Sequence, residues 1–121
     1  MNRIRLAVAG AAVAVAVVTG SAVAAIQAIP SKKVSVKATE YAYKFSSLRS
    51  APGQTVIFAL KNAGTEVHDL KFQGVPPKSR FIPGGASTTF KVTFRKRGRY
   101  QFFCTIGEHA LKGMRGTWFV K

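Results

Sequence analysis

The chain has 121 residues, of which 47% are hydrophobic, and it carries a formal net charge of +15, with 19 Lys and Arg against four Asp and Glu. This length allows one domain with one core and is too short for two. The single cysteine, Cys104, excludes an internal disulfide and the paired cysteines of covalent haem attachment.

The start of the chain resembles a secretory signal peptide. Arg3 and Arg5 form a basic beginning, an apolar run follows from residue 6 to 18, and Ala-Val-Ala at residues 22–24 is a small-residue cleavage signature. An uncleaved membrane anchor is the alternative, because weakly apolar sequence continues to Ile29, about the length that spans a bilayer. Either interpretation predicts an exported domain, periplasmic or extracellular. The predicted boundaries are 1–24 for the leader, 25–31 for a linker and 32–121 for the domain.

Alternating apolar and polar residues predict β-strands through most of this domain. The segment 55–61 is apolar on both faces, which predicts a central strand, and the weakly helical segment 40–48 is equally consistent with an irregular strand. Short strands separated by Gly and Pro turns favour an all-β Greek-key β-sandwich. The predicted strands are 32–38, 55–61, 70–72, 87–94, 100–104 and 117–121.

Three scarce metal-binding side chains lie close together near the end of the chain, in CTIGEHALKGM (104–114). Cys104 ends a predicted strand, and His109 and Met114 lie in the loop that leads into the last strand. Such a loop can fold back so that side chains five positions apart converge. The other histidine, His68, follows the predicted central strand, and a sandwich can place it at the same end as Cys104.

Each of these residues alone has an ordinary structural explanation as a loop histidine, a buried thiol or a methionine that fills the core. Together, two imidazoles, one thiolate and a weak axial thioether form the ligand set of blue copper. Structural zinc more often takes two or more thiolates, and catalytic zinc would not use Met. The sequence therefore predicts one copper ion per chain, bound by His68, Cys104, His109 and Met114.

The segments NAGTEVHDLKF (62–72) and YQFFCTIGEHALKGMRGTWFV (100–120) resemble the cupredoxin family of type 1 copper proteins. The Cys-x4-His-x4-Met spacing is more similar to that of auracyanin, rusticyanin and sulfocyanin than to that of plastocyanin. The resemblance covers residues 32–121 and implies one-electron transfer as the function. It also implies that Asp69, which follows the first ligand, helps to tie the two ligand loops together.

Electron carriage is therefore the expected function, and storage of copper or its delivery to an oxidase is the alternative. An enzyme such as a nitrite reductase or multicopper oxidase needs further histidine-rich copper centres, and both histidines are already assigned. Gly107-Glu108 stands where many relatives have Pro-Gly, which predicts a less rigid loop and a potential biased toward Cu(II). We expect His109 to be the exposed edge through which electrons pass.

The strong positive charge predicts an anionic partner, but an exported protein meets anionic lipid, cell-wall polymers and acidic proteins more often than nucleic acid. We expect an acidic redox protein, such as a cytochrome or an oxidase subunit, to dock at the copper end of a monomeric carrier. An anionic membrane or cell-wall surface is a further candidate partner. Solubility alone remains an ordinary explanation for much of the charge.

Overall fold

The computed structural model describes residues 10–17, residue 20 and residues 28–121. Residues 10–17 and 20 are exposed and have no regular secondary structure. In the described parts of the chain, no helix is long and apolar enough to cross a membrane. Much of the predicted signal peptide, at residues 1–9, 18–19 and 21–24, lies outside the described residues, as do residues 25–27 of the predicted linker.

Between residues 28 and 121 the chain forms two four-stranded sheets that pack face to face, so the predicted all-β sandwich is confirmed. The sheets have the strand orders β2-β1-β4-β6 and β3-β8-β7-β5. The strands are β1 (Lys32–Thr39), β2 (Ala42–Phe45), β3 (Arg49–Ser50), β4 (Gln54–Asn62), β5 (Lys71–Phe72), β6 (Ser87–Phe94), β7 (Gly98–Phe103) and β8 (Arg115–Val120).

The predicted central strand is β4, which lies between β1 and β6. It runs parallel to β1, with Val34 opposite Phe58, and antiparallel to β6, with Val56 opposite Val92. Its apolar residues on both faces suit this position, because a central strand is covered more completely than an edge strand. The segment 40–48 contains the short strand β2, so the irregular-strand interpretation is confirmed.

Aromatic rings fill the core between the two sheets. Trp118 and Phe58 are fully buried, and Trp118 stacks on Phe94 with ring centroids 5.5 Å apart. In the described residues, the buried core residues all lie at or after Val34. Residues 28–121 therefore contain a complete core, which is what a domain needs to fold on its own.

The connections between strands divide between the two ends of the sandwich. The parallel strands β1 and β4 both finish at one end, the loop end, which consists of residues 40–41, 62–70 and 104–114. The opposite end, the turn end, consists of residues 28–33, 49–54, 95–99 and 121. Backbone hydrogen bonds from Gly53 to the carbonyl of Phe94 (2.7 Å) and from Lys121 to the carbonyl of Ser50 (3.1 Å) close the turn end.

Candidate metal centre

His68 is fixed in the loop end by the long connection that follows β5. Its N–H donates to the carbonyl of Ile82 at 3.1 Å, and its carbonyl accepts from the N–H of Ile82 at 2.8 Å. The side-chain amide of Asn62 donates to the carbonyls of Glu66 and Ile82. These bonds hold the segment between β4 and β5 in place with His68 fully buried.

The loop 104–114 folds back on itself through its own backbone. The N–H of Cys104 donates to the carbonyl of Met114 at 3.0 Å, and the N–H of Met114 donates to the carbonyl of His109 at 3.1 Å. Gly107 and Gly113 have φ angles of 43° and 121°, a region that favours glycine. The fold of this loop therefore brings Cys104, His109 and Met114 together, as their spacing predicts.

Three of the four predicted ligands present their donor atoms to one point. The Nδ1 atoms of His68 and His109 are 3.2 Å apart, and Sγ of Cys104 lies 4.0 Å from the first and 3.6 Å from the second. A point equidistant from all three atoms lies about 2.1 Å from each, within the range of metal bonds to imidazole and thiolate. The donors present therefore fit a soft metal ion in a three-coordinate arrangement.

The fourth predicted ligand, Met114, is also fully buried at the loop end. Its backbone hydrogen bonds join it directly to Cys104 and His109. A thioether is a weak ligand for copper, and it tunes a site more than it holds the ion. Met114 would hold such an ion weakly from within the same loop as Cys104 and His109.

Asp69 ties the two ligand-bearing segments together. Its Oδ1 accepts from the N–H of Thr105 at 2.7 Å, and its Oδ2 accepts from the hydroxyl of Thr105 at 2.5 Å. Because Asp69 follows His68 and Thr105 follows Cys104, these bonds fix the two ligands relative to each other. The linking role that the resemblance implies for Asp69 is confirmed.

Each imidazole has a carboxylate on the side that faces away from the donor cluster. Nε2 of His68 lies 3.1 Å from Oε1 of Glu40, and Nε2 of His109 lies 3.6 Å from Oε1 of Glu66. A carboxylate that accepts from Nε2–H leaves Nδ1 free to bind a metal. Hydrogen bonds from the N–H groups of Glu66 and Thr65 hold Glu40 in place and lower its pKa to about 2.

The thiol of Cys104 is buried at the centre of the cluster, and this burial raises its pKa. Metal binding requires the thiolate, so uptake of an ion displaces the thiol proton. Tyr43 borders the site and its pKa is also raised, mainly by burial. Its hydroxyl donates to the carbonyl of Asp69.

The ring of His109 is less exposed than the sequence suggested. Only 7% of the residue is accessible, because the ring of Tyr41 packs on it with centroids 5.0 Å apart and Glu66 lies at its outer nitrogen. Leu111, in the same loop, is 77% exposed. No motif in the sequence marks Tyr41, Glu40 and Glu66, so their contacts with the two imidazoles are visible only in the structure.

Comparison with known proteins gives one family and several similar folds. The family model described as "Cupredoxin-like domain" matches residues 9–117. No curated protein matches the sequence significantly.

Among solved structures, the chain is similar to auracyanin from Roseiflexus castenholzii, at 21% identity and a TM-score of 0.63, over 77% of this chain and 99% of that one. Auracyanin A from Chloroflexus aurantiacus, a "blue" copper protein, aligns at 17% identity and a TM-score of 0.63, over 76% of this chain and 100% of the other. A multicopper oxidase aligns at 19% identity and a TM-score of 0.62, over 74% of this chain but 41% of its own length. At these identities the likeness shows the fold.

Proposed function

Because the chain belongs to the family of cupredoxin-like domains, we propose that it carries single electrons between redox proteins. The observation that carries this proposal is the convergence of two Nδ1 atoms and one Sγ atom at separations of 3.2 to 4.0 Å. A site of this kind, buried in a rigid sandwich, suits a metal that changes oxidation state without leaving.

The cofactor is one copper ion, since the family and the His, Cys and Met side chains of the loop end agree on it. We assign its ligands as His68, Cys104, His109 and Met114. When bound, copper supplies a one-electron couple between Cu(I) and Cu(II). The chain binds the ion through neutral imidazoles and a thiolate, excludes water by burial, and holds the ligands by hydrogen bonds that do not depend on the oxidation state.

Copper storage or delivery is the alternative function. A carrier holds its copper through many redox cycles, whereas a delivery protein releases it to a chelator or to a partner that lacks copper. The buried donors and the Asp69 link support the carrier, because both limit the access of a chelator or partner to the ion. The chain has two histidines in total, both at this site, so we propose that it is not an enzyme with further copper centres.

We further propose that the domain is exported and acts as a monomer, and that its redox partner is an acidic protein. The signal-like sequence of residues 1–24 supports export. Lys112 supports docking at the loop end, since its Nζ lies 4.6 Å from the centre of the Tyr41 ring that packs on His109. An acidic surface would meet this cation near the least buried edge of the site.

The visible spectrum of the purified chain with Cu(II) tests the proposal. We expect an intense blue or green colour from charge transfer between the Cys104 thiolate and copper, with one copper per chain. The substitution Cys104→Ser should abolish the colour while leaving the strand content unchanged by circular dichroism. A wild-type chain that binds Cu(II) and stays colourless would show that the site is not of type 1.

A further inference from the structure

The charges of this chain are segregated between the two ends of the sandwich. All four side-chain carboxylates lie at the loop end: Glu40, Glu66, Asp69 and Glu108. Eight cations belong to the turn end: Lys32, Lys33, Arg49, Arg95, Lys96, Arg97, Arg99 and Lys121. The positive charge is therefore concentrated at the end farthest from the metal centre.

The turn-end cations are free to meet an external anion. Seven of the eight side chains are exposed, and Lys32 is half-buried, with Nζ donating to Ser47 and to the carbonyl of Arg49. Where the chain is described, the one Lys or Arg within 4 Å of a side-chain carboxylate is Lys78, whose Nζ lies 3.3 Å from Oδ2 of Asp69 at the loop end. Solubility does not require such segregation, because cations spread over the whole surface would serve it equally well.

The chain enters the sandwich at this same end. The carbonyl of Pro30 accepts a hydrogen bond from the side-chain amide of Gln54 at 2.9 Å, so the residues before β1 are tied to the turn before β4. The sequence ahead of this point, residues 6–29, is weakly apolar and long enough to reach across a bilayer. The basic surface thus surrounds the attachment point of the most apolar segment of the chain.

We propose that the turn end is a docking surface for an anionic lipid bilayer. Clustered Lys and Arg beside an apolar segment are attracted to lipid phosphates, and the attraction falls off within a Debye length. In the uncleaved-anchor interpretation of the leader, the apolar residues 6–29 lead into this surface, which favours a bilayer over an acidic protein as its partner. Docking there turns the loop end, with the copper ligands, away from the membrane and toward a redox partner.

Sedimentation with lipid vesicles tests this surface. Residues 28–121, which contain the whole core, are mixed with vesicles of phosphatidylcholine alone or with about one third phosphatidylglycerol. We expect the domain to bind the anionic vesicles at least about 10-fold more tightly at low salt, and to be released as salt is raised. Full-length chain should show the same charge-dependent increase.

Two matched triple variants distinguish vesicle binding through the turn end from vesicle binding that depends on net charge alone. Arg95→Gln, Lys96→Gln and Arg97→Gln together should reduce binding by about 10-fold or more. Lys44→Gln, Lys61→Gln and Lys91→Gln remove the same charge from exposed positions on β2, β4 and β6 and should change binding less than about two-fold. Thermal unfolding of both variants, measured beside wild type, shows whether each remains folded.

Three results would overturn the proposal. Equal losses in the two variants would mean that binding follows net charge alone. Equal binding to neutral and anionic vesicles would show that the turn-end cations do not drive binding. Binding to soluble polyglutamate through the turn end, with none to anionic vesicles, would identify the surface as one for an acidic protein. Each result can be obtained whether or not the domain carries electrons, so it is separate from the test of copper function.

Discussion

Both imidazoles of the metal centre face carboxylates that belong to other segments of the chain. Glu40 comes from the turn between β1 and β2 and reaches Nε2 of His68 at 3.1 Å. Glu66 comes from the segment after β4 and lies 3.6 Å from Nε2 of His109. A hydrogen bond such as that from His68 to Glu40 fixes the ring orientation and raises the basicity of the coordinating nitrogen, which favours the more highly charged ion. The expected bias toward Cu(II) therefore has a source beyond the missing proline at Gly107-Glu108.

The substitution Glu40→Gln should raise the reduction potential, because it removes a negative charge and keeps a hydrogen-bond acceptor for His68. A tenfold change in the relative affinity for Cu(I) and Cu(II) corresponds to about 60 mV, and we expect a shift of this order. Spectroelectrochemical titration measures it. Glu108→Gln is the control, since it removes an equal charge from an exposed neighbour of His109 and should shift the potential less. Equal shifts would assign the effect to charge alone.

The substitution Met114→Gln should keep both copper and colour but lower the potential, because the axial thioether is a weak ligand that favours Cu(I). His68→Gln removes one of the three close donors and should abolish the type 1 spectrum. Absorption and potentiometry of the two variants distinguish the roles. If both substitutions had the same effect, Met114 would not be an axial ligand.

At the level of elements, the site depends on the link between the β4–β5 segment and the loop 104–114. Asp69 is fully buried and accepts two hydrogen bonds from Thr105. It also lies 3.3 Å from Nζ of Lys78, which is partly exposed. The link is therefore a buried polar contact that continues the antiparallel pairing of β5 and β7, in which Lys71 lies opposite Phe103.

The substitution Asp69→Ala should destabilise the copper-free domain by about 1 to 3 kcal/mol, because it leaves the N–H of Thr105 without its acceptor. Asp69→Asn keeps an acceptor oxygen for that N–H and should cost less. Denaturant unfolding of the copper-free variants measures the difference. Thr105→Val removes only the hydroxyl bond and should fall between wild type and Asp69→Ala. Equal stability of all four proteins would show that the link contributes nothing.

Much of the fold and most of the site could be predicted because their signals are local. Alternation over eight residues marks β1 and β6, and three of the four predicted ligands are spaced within a single loop. The contact between Glu40 and His68 could not be predicted, because it depends on the parallel register that places Ala38 opposite Asn62. That register brings the turn after β1 beside the segment after β4. The strand β3 has two residues and is too short for any alternation to appear.

For the whole molecule, the segregation of charge gives the two ends different electrostatic roles. The cations in or beside the loop end, Lys71, Lys78, Arg80, Lys112 and Arg115, share their region with all four side-chain carboxylates. These five cations nearly balance the four carboxylates. Changing a single charge therefore alters the electrostatic potential of the loop end strongly and affects docking there. At the turn end eight cations act together with no opposing side chain. The distribution of charge between the two ends, and not the net charge alone, therefore determines where an anionic partner binds this domain.

Electron transfer with an acidic redox protein should be slowed by salt, because opposite charges steer association and salt screens them over about 8 Å at physiological ionic strength. Lys112 is the cation best placed to act, since it packs over Tyr41 beside His109. The substitution Lys112→Glu should weaken the salt dependence and leave the copper spectrum unchanged.

The turn-end triple variant removes three charges far from the ligands, so it should leave the second-order rate within about two-fold of wild type. Stopped-flow kinetics over a series of salt concentrations compares the three proteins. A larger effect from the turn-end variant than from Lys112→Glu would mean that the redox partner docks at the turn end.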